Sequence, residues 1–101
     1  MADTNTIPKS KVELREPPLF KIIYLNDNKT SVDFVVESLI RHFEYTAETA
    51  VTITEDIHNA GSAIVAILPY EIAEQKGIEV TMLARAQSYP LQIRVEPEGI
   101  V

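Results

Sequence analysis

Hydrophobic and polar positions along the chain change their period several times. Leu19-Phe20-Lys21-Ile22-Ile23-Tyr24-Leu25 is dense in β-branched and aromatic residues and predicts a first strand. Asn26-Asp27-Asn28-Lys29 follows, and such residues favour turns because their side chains bond nearby backbone groups. Val32, Val35, Val36, Leu39, Ile40 and Phe43 then recur at i, i+3, i+4, i+7, i+8 and i+11, one apolar stripe on a helix. Thr30 is the expected N-cap, with Asp33 reaching back in a variant of the capping box. A second helix is expected from Thr46, with Ala47, Ala50, Ile53 or Thr54, and Ile57 inward, ending at Ala60-Gly61. Residues 62–68 predict a second strand. Pro69 can open a third helix running to about Gln87, with Ile72, Val80, Leu83 and Ala84 inward and Gly77 a local weakness. Leu91 to Val95 alternates as a third strand.

The order βααβαβ predicts an α+β fold: one small domain with a three-stranded antiparallel sheet and three helices packed on one face. Residues 18–97 form the expected core. Residues 1–17, with charges and prolines but no apolar period, read as a flexible N-terminal tail, and residues 98–101 as a short C-terminal tail.

Composition narrows the function. The chain has 101 residues, enough for one core and a shallow pocket but not for a deep cleft. Nine basic against fifteen acidic residues leave a net charge of −6, which disfavours phosphate-backbone binding and makes nucleic acid a poor partner. Cysteine is absent, so disulfides and thiolate metal sites are excluded. No apolar run approaches the roughly 20 residues of a membrane span. The polar, acidic start is unlike a signal peptide, and the expected setting is cytoplasmic.

Catalytic chemistry has little to stand on. A cysteine nucleophile, a G-x-S-x-G elbow, an H-E-x-x-H pair and a phosphate-cradling glycine loop are all missing. The acidic pairs Glu55-Asp56 and Glu71/Glu74 fit solvated helix faces better than metal sites. His42 falls off the apolar stripe and is expected on the solvated surface. His58, closing the second helix, has a plain role at the negative end of the helix dipole. The reading is therefore not an enzyme, with no cofactor and no metal. The polar turn at residues 25–30 could be turn chemistry alone. It also places two amides and a carboxylate beside the apolar stripe, as recognition of an amphipathic end group requires.

Five segments in order resemble the ClpS family over about residues 17 to 96. They are Pro17 to Asp27, Thr30 to Val36, Val51 to Gly61 with its closing His58, Tyr70 to Lys76, and Tyr89-Pro90-Leu91. The resemblance implies an adaptor that binds the free α-amino group and bulky first side chain of N-degron substrates and delivers them to a Clp AAA+ unfoldase, ClpA-like or ClpC-like. It implies amino-group contacts from Asn26, Asp27 and His58. The side-chain pocket would be built from Asn28, Thr30, Val32, Val35, Thr54, Ile57 and Leu91, and the unfoldase contact from Glu71 and Lys76. A monomer is implied, with Leu, Phe, Tyr or Trp as first residue. A neutral imidazole accepts from an ammonium and a protonated one cannot, so the role implied for His58 is that of a neutral acceptor.

The chain departs from the family pattern at Asn28, where an acid is usual, and at Val32 and Thr54, where Met is usual. Ser31 stands where Pro is common, and Pro69 where Thr usually caps. Shorter β-branched chains at residues 32 and 54 widen and stiffen the pocket, extending the expected preference to Ile and Val. The competing expectation is a structural or interaction module of the same fold that modulates a Clp unfoldase or another assembly without reading N-termini.

Overall fold

The computed structural model describes residues 17–99. The elements run β1 (Leu19–Leu25), α1 (Val32–Phe43), α2 (Ala47–Ala60), β2 (Ser62–Pro69), α3 (Tyr70–Ala86) and β3 (Gln92–Pro97). The strands form one antiparallel sheet in the order β2-β1-β3, with the three helices on one face. The α+β fold and its βααβαβ order are therefore as the sequence predicts. The tail expected at residues 1–17 lies almost wholly outside the described residues.

The central strand supplies the sheet's share of the core. Ile22 and Tyr24 are fully buried and join Leu39, Ala50, Ile57, Val65, Val80 and Leu91 in one cluster. Alternate residues of a strand face opposite sides, so Lys21 and Ile23 turn to the side without helices. The buried Tyr24 hydroxyl donates to Ser38 Oγ at 2.8 Å, and Ser38 in turn donates to the Val35 carbonyl at 2.8 Å. That chain ties β1 to α1 and satisfies both hydroxyls out of contact with water. Burial pushes the Tyr24 phenol well above the ordinary tyrosine range, outweighing the opposing bond to Ser38.

β2 carries a bulge. Ile22 pairs with Ala66 and Ile23 with Ile64, leaving Val65 as an extra residue. Its carbonyl, turned out of the ladder, accepts from the Tyr45 hydroxyl at 2.6 Å. Both Val65 and Ala66 are therefore available to the core side, which breaks the simple alternation of the strand.

Several local expectations require correction. The N-cap of α1 is Ser31, whose hydroxyl accepts from Phe34 N at 3.0 Å, and not Thr30. Asp33 is thereby one position too early to close a capping box, although its charge still suits the first turn. Ala47 is exposed. On α3 the inward residues are Ala73, Gly77, Val80 and Ala84, whereas Ile72 and Leu83 are each nearly half exposed. Small residues let α3 approach the sheet closely: a Cβ on Gly77 would lie 3.4 Å from a Val95 methyl and 3.7 Å from one of Ile93. Pro69 ends β2 and precedes the first turn of α3 without a side-chain cap. His42 is not a solvated surface residue. Its side chain is 20% exposed and its Nδ1 lies 3.6 Å from Glu79 Oε1 on α3.

Candidate functional site

The turn between β1 and α1 is built around Asp27. Its Oδ1 accepts from the backbone N–H groups of Lys29 and Thr30, both at 2.7 Å, and its Oδ2 accepts from the Thr30 hydroxyl at 2.8 Å. This is an aspartate-centred turn, with the side chain replacing a backbone acceptor. Burial pushes the carboxyl up. The bonds from Thr30 and Lys29 and the positive charge of Arg85 outweigh it and hold Asp27 below the usual carboxylate range. Asp27 therefore stays ionised at neutral pH with its oxygens already engaged.

Opposite this turn, α2 ends at Gly61, whose φ of +92° is one that glycine adopts without strain. The Gly61 N–H donates to the Ile57 carbonyl at 2.9 Å, and the Gly61 carbonyl accepts from Asn26 N at 2.9 Å. The end of α2 and the start of the turn are thus joined by backbone, bringing His58 to the same side as Asn26.

Between them lies a hollow of about 270 Å³. The turn contributes Asn26, Asp27, Asn28 and Thr30, α1 contributes Val32 and Val35, and α2 contributes Thr54, Ile57 and His58. Val35, Thr54 and Ile57 are buried and make an apolar base; Asn26, Asn28 and His58 are exposed at the rim. The Thr54 hydroxyl donates to the Ala50 carbonyl at 2.8 Å, so its methyl is the group left for the hollow. No hydrogen bond among the described residues engages the side chains of Asn26 or His58. Such a cup, apolar below and rich in acceptors above, suits a small cation carrying an apolar group.

The structure gathers nine of the residues expected at the amino-group and side-chain sites around this hollow. Leu91 is not among its lining; at 1% exposure it belongs to the core, with its carbonyl accepting from Arg85 at 2.8 Å. Glu71 and Lys76 lie apart on α3. Glu71 is exposed, and the Lys76 ammonium sits 5.7 Å from the Phe43 ring centroid. Sequence reasoning passed over Val51 and Asn59 and weighed Glu55 only as a metal ligand. These three border an adjoining hollow, and their i, i+4, i+8 spacing on α2 was the available signal.

A larger hollow of about 430 Å³ lies between α3 and β3. Its one charged wall residue, Glu74, already accepts from the Tyr70 hydroxyl at 2.8 Å, which raises the Tyr70 phenol above its ordinary range. Among the described residues, no group of three or more carboxylates or histidines is placed to hold a metal, and no helix is long and apolar enough to cross a membrane.

Residues 15–94 match the family model described as ATP-dependent Clp protease adaptor protein ClpS. The Clp protease adapter ClpS of Acetivibrio thermocellus is 37% identical over 99 residues, covering 97% of this chain and 100% of that protein. The ClpS adapter of Nautilia profundicola is 41% identical over 93 residues, covering 92% of this chain and 96% of the relative. Among solved structures, Agrobacterium tumefaciens ClpS2 bound to L-phenylalaninamide superposes with a TM-score of 0.79 at 35% identity, covering 82% of this chain and 100% of that one. The chain belongs to the ClpS family of Clp protease adaptors, which are not enzymes.

Proposed function

We propose that this adaptor captures proteins by a free α-amino group and a bulky apolar first side chain, and delivers them to a Clp AAA+ unfoldase in the cytoplasm. The observation that carries the reading is the hollow itself, which pairs rim acceptors with an apolar base. The related ClpS2 structure is of a complex with L-phenylalaninamide, a molecule with one ammonium and one benzyl group.

In this reading the Asn26 side-chain oxygen and the neutral imidazole of His58 accept from the ammonium. Asp27, its oxygens occupied, acts through its charge. Val32, Val35, Thr54 and Ile57 cover the first side chain, with Asn28 and Thr30 at the mouth. Leu91, buried in the core, is left out of that set. Hydrogen bonds to a charged group contribute about 1.5–3 kcal/mol each, and burying a Leu or Phe side chain a similar amount. After the cost of association this supports micromolar binding. Stiff, short Val32 and Thr54 admit Ile and Val beside Leu, Phe, Tyr and Trp. Exposed Glu71 and, further along α3, Lys76 serve the unfoldase, ClpA-like or ClpC-like, with the adaptor as a monomer.

Fluorescence anisotropy of peptides beginning with Leu, Phe, Ile or Ala, each free or acetylated, tests the reading. Binding that requires both the free amine and a large apolar first residue is expected. Equal binding of acetylated peptides, or none by any free-amine peptide, would remove its basis.

A further inference from the structure

The hollow of about 430 Å³ between α3 and β3 takes no part in the capture proposed above. It is a groove, with Ile78 and Met82 along its α3 wall and Ile93 and Val95 along β3. Ile78 is 52% exposed and Met82 67%. Tyr70 and Glu74 stand where α3 begins. Among the described residues β3 pairs with β1 alone, so its outer edge can bond to an extended chain.

The chain itself arrives at the Tyr70 end of this groove. Leu19 pairs with Pro69, the residue before Tyr70, and the Leu19 carbonyl accepts from Glu98 N at 2.9 Å. Whatever precedes Pro17 therefore starts at the end of the fold that carries the exposed carboxylates of Glu71, Glu74 and Glu98. Residues 9–15, Lys9-Ser10-Lys11-Val12-Glu13-Leu14-Arg15, hold three basic side chains against one acidic, in a chain whose net charge is −6. Val12 and Leu14, too few to make a period, still fall on one side of an extended backbone. Six extended residues span about 20 Å, and a helix rises about 18 Å over the twelve steps from Tyr70 to Met82. The helix-free face of the sheet also exposes Leu19, Ile64 and Ile67. There, however, Lys21 and Arg94 outnumber Glu96, and that balance repels a basic segment.

We propose that residues 10–15 of this chain dock as an extended segment in the groove between α3 and β3. Leu14 covers Ile78, Val12 covers Met82, and Arg15 turns toward Glu74 and Glu71. The chain thereby shields its own exposed apolar wall. The first hollow is built on the β1–α1 turn, α1 and α2, so this docking stands apart from the capture of N-termini.

The test uses the full chain, which has no cysteine, with Ser10→Cys carrying a nitroxide and the methyl groups observed by NMR. Broadening of Ile78, Met82, Ile93 and Val95 well beyond that of Ile64 and Ile67 is expected. Tethered at Pro17 with no docking site, the label would reach both surfaces alike. Val12→Asp with Leu14→Asp, and separately Met82→Lys, should remove the difference. Equal broadening of the two surfaces, or more at Ile64 and Ile67, would overturn the proposal. So would a groove preference that survives Val12→Asp with Leu14→Asp, since charge alone would then account for it. Broadening only between label and methyls on different molecules of a mixed sample would assign the groove to a second copy, and overturn it as well. Binding of a Leu-first peptide should be unchanged in these variants, because none of the altered residues lines the first hollow.

Discussion

The backbone N–H of Asn26 donates to the carbonyl of Gly61 at 2.9 Å. This one bond sets the distance between two elements that each carry a proposed ammonium acceptor. Gly61 has no atom within 4 Å of where a Cβ would stand, but its φ is +92°. Gly61→Ala therefore meets no clash and is penalised by backbone conformation alone, at about 1–2 kcal/mol. We expect a lower Tm together with weaker binding of a Leu-first peptide, because relief of the strain moves Gly61 relative to Asn26. Unchanged peptide affinity in a destabilised variant would show that the bond does not set the site.

Asp27→Ala removes the acceptor of three hydrogen bonds in the turn and should cost about 1 kcal/mol at neutral pH, as loss of a helix cap does. The carboxyl is held below its ordinary value in the folded chain. Its stabilising contribution is thus complete above the unfolded value of about 3.9 and is lost as pH falls through the lower folded value. Urea denaturation of both proteins at pH 7 and near pH 3 should show the difference between them shrinking in acid. A constant difference would place the effect in the backbone and not in the charge.

Val32→Met and Thr54→Met, made together, should narrow the preference for the first residue. Two longer, flexible chains crowd a hollow of about 270 Å³ now bounded by β-branched ones. Affinity for Ile-first and Val-first peptides is expected to fall about tenfold relative to Leu, equivalent to about 1.4 kcal/mol. An unaltered Ile-to-Leu ratio would mean that residues 32 and 54 do not shape the pocket.

Gly77→Ala is expected to stabilise the fold. The new methyl would meet Val95 at 3.4 Å and Ile93 at 3.7 Å, at the near edge of ordinary contact. An interior helix position prefers Ala to Gly by about 0.8–1 kcal/mol. A rise in Tm supports this balance. A fall would show that the approach of α3 to β3 has no room even for one methyl.

The element order was legible because each change of period is strong. The seven-residue run of β1, the α1 stripe and the glycine after α2 each have one reading. Finer detail failed where a side chain had two uses. Thr30 looks like a cap, but Asp27 takes its hydroxyl, leaving Ser31 to cap α1. On α3, Ile72, Val80, Leu83 and Ala84 were expected inward. Val80 and Ala84 are, but close approach to the sheet adds the small Ala73 and Gly77 and leaves Ile72 and Leu83 outside. His42 seemed polar and therefore solvated; only the crossing of α1 and α3 places Glu79 beside it. The first hollow was readable through a family resemblance, whereas local pattern supplied a polar turn next to an apolar stripe and no more. The adjoining hollow needed α2 and α1 side by side.

β2 has eight residues against the seven of β1, and Val65 is the surplus. Leu68 and Ala66 lie opposite the inward-facing Phe20 and Ile22, and Ala63 lies opposite Tyr24, an odd step along β2 that a regular strand cannot make. The strand thus holds one residue of slack. Losing a residue between 63 and 67 restores strict alternation with both ends still in phase, at the expense of a buried side chain and the acceptor of the Tyr45 hydroxyl. Gaining one makes that step four residues against two on β1, even again in face but with two residues left without partners in the ladder. Chain length in β2 therefore shrinks by one more readily than it grows.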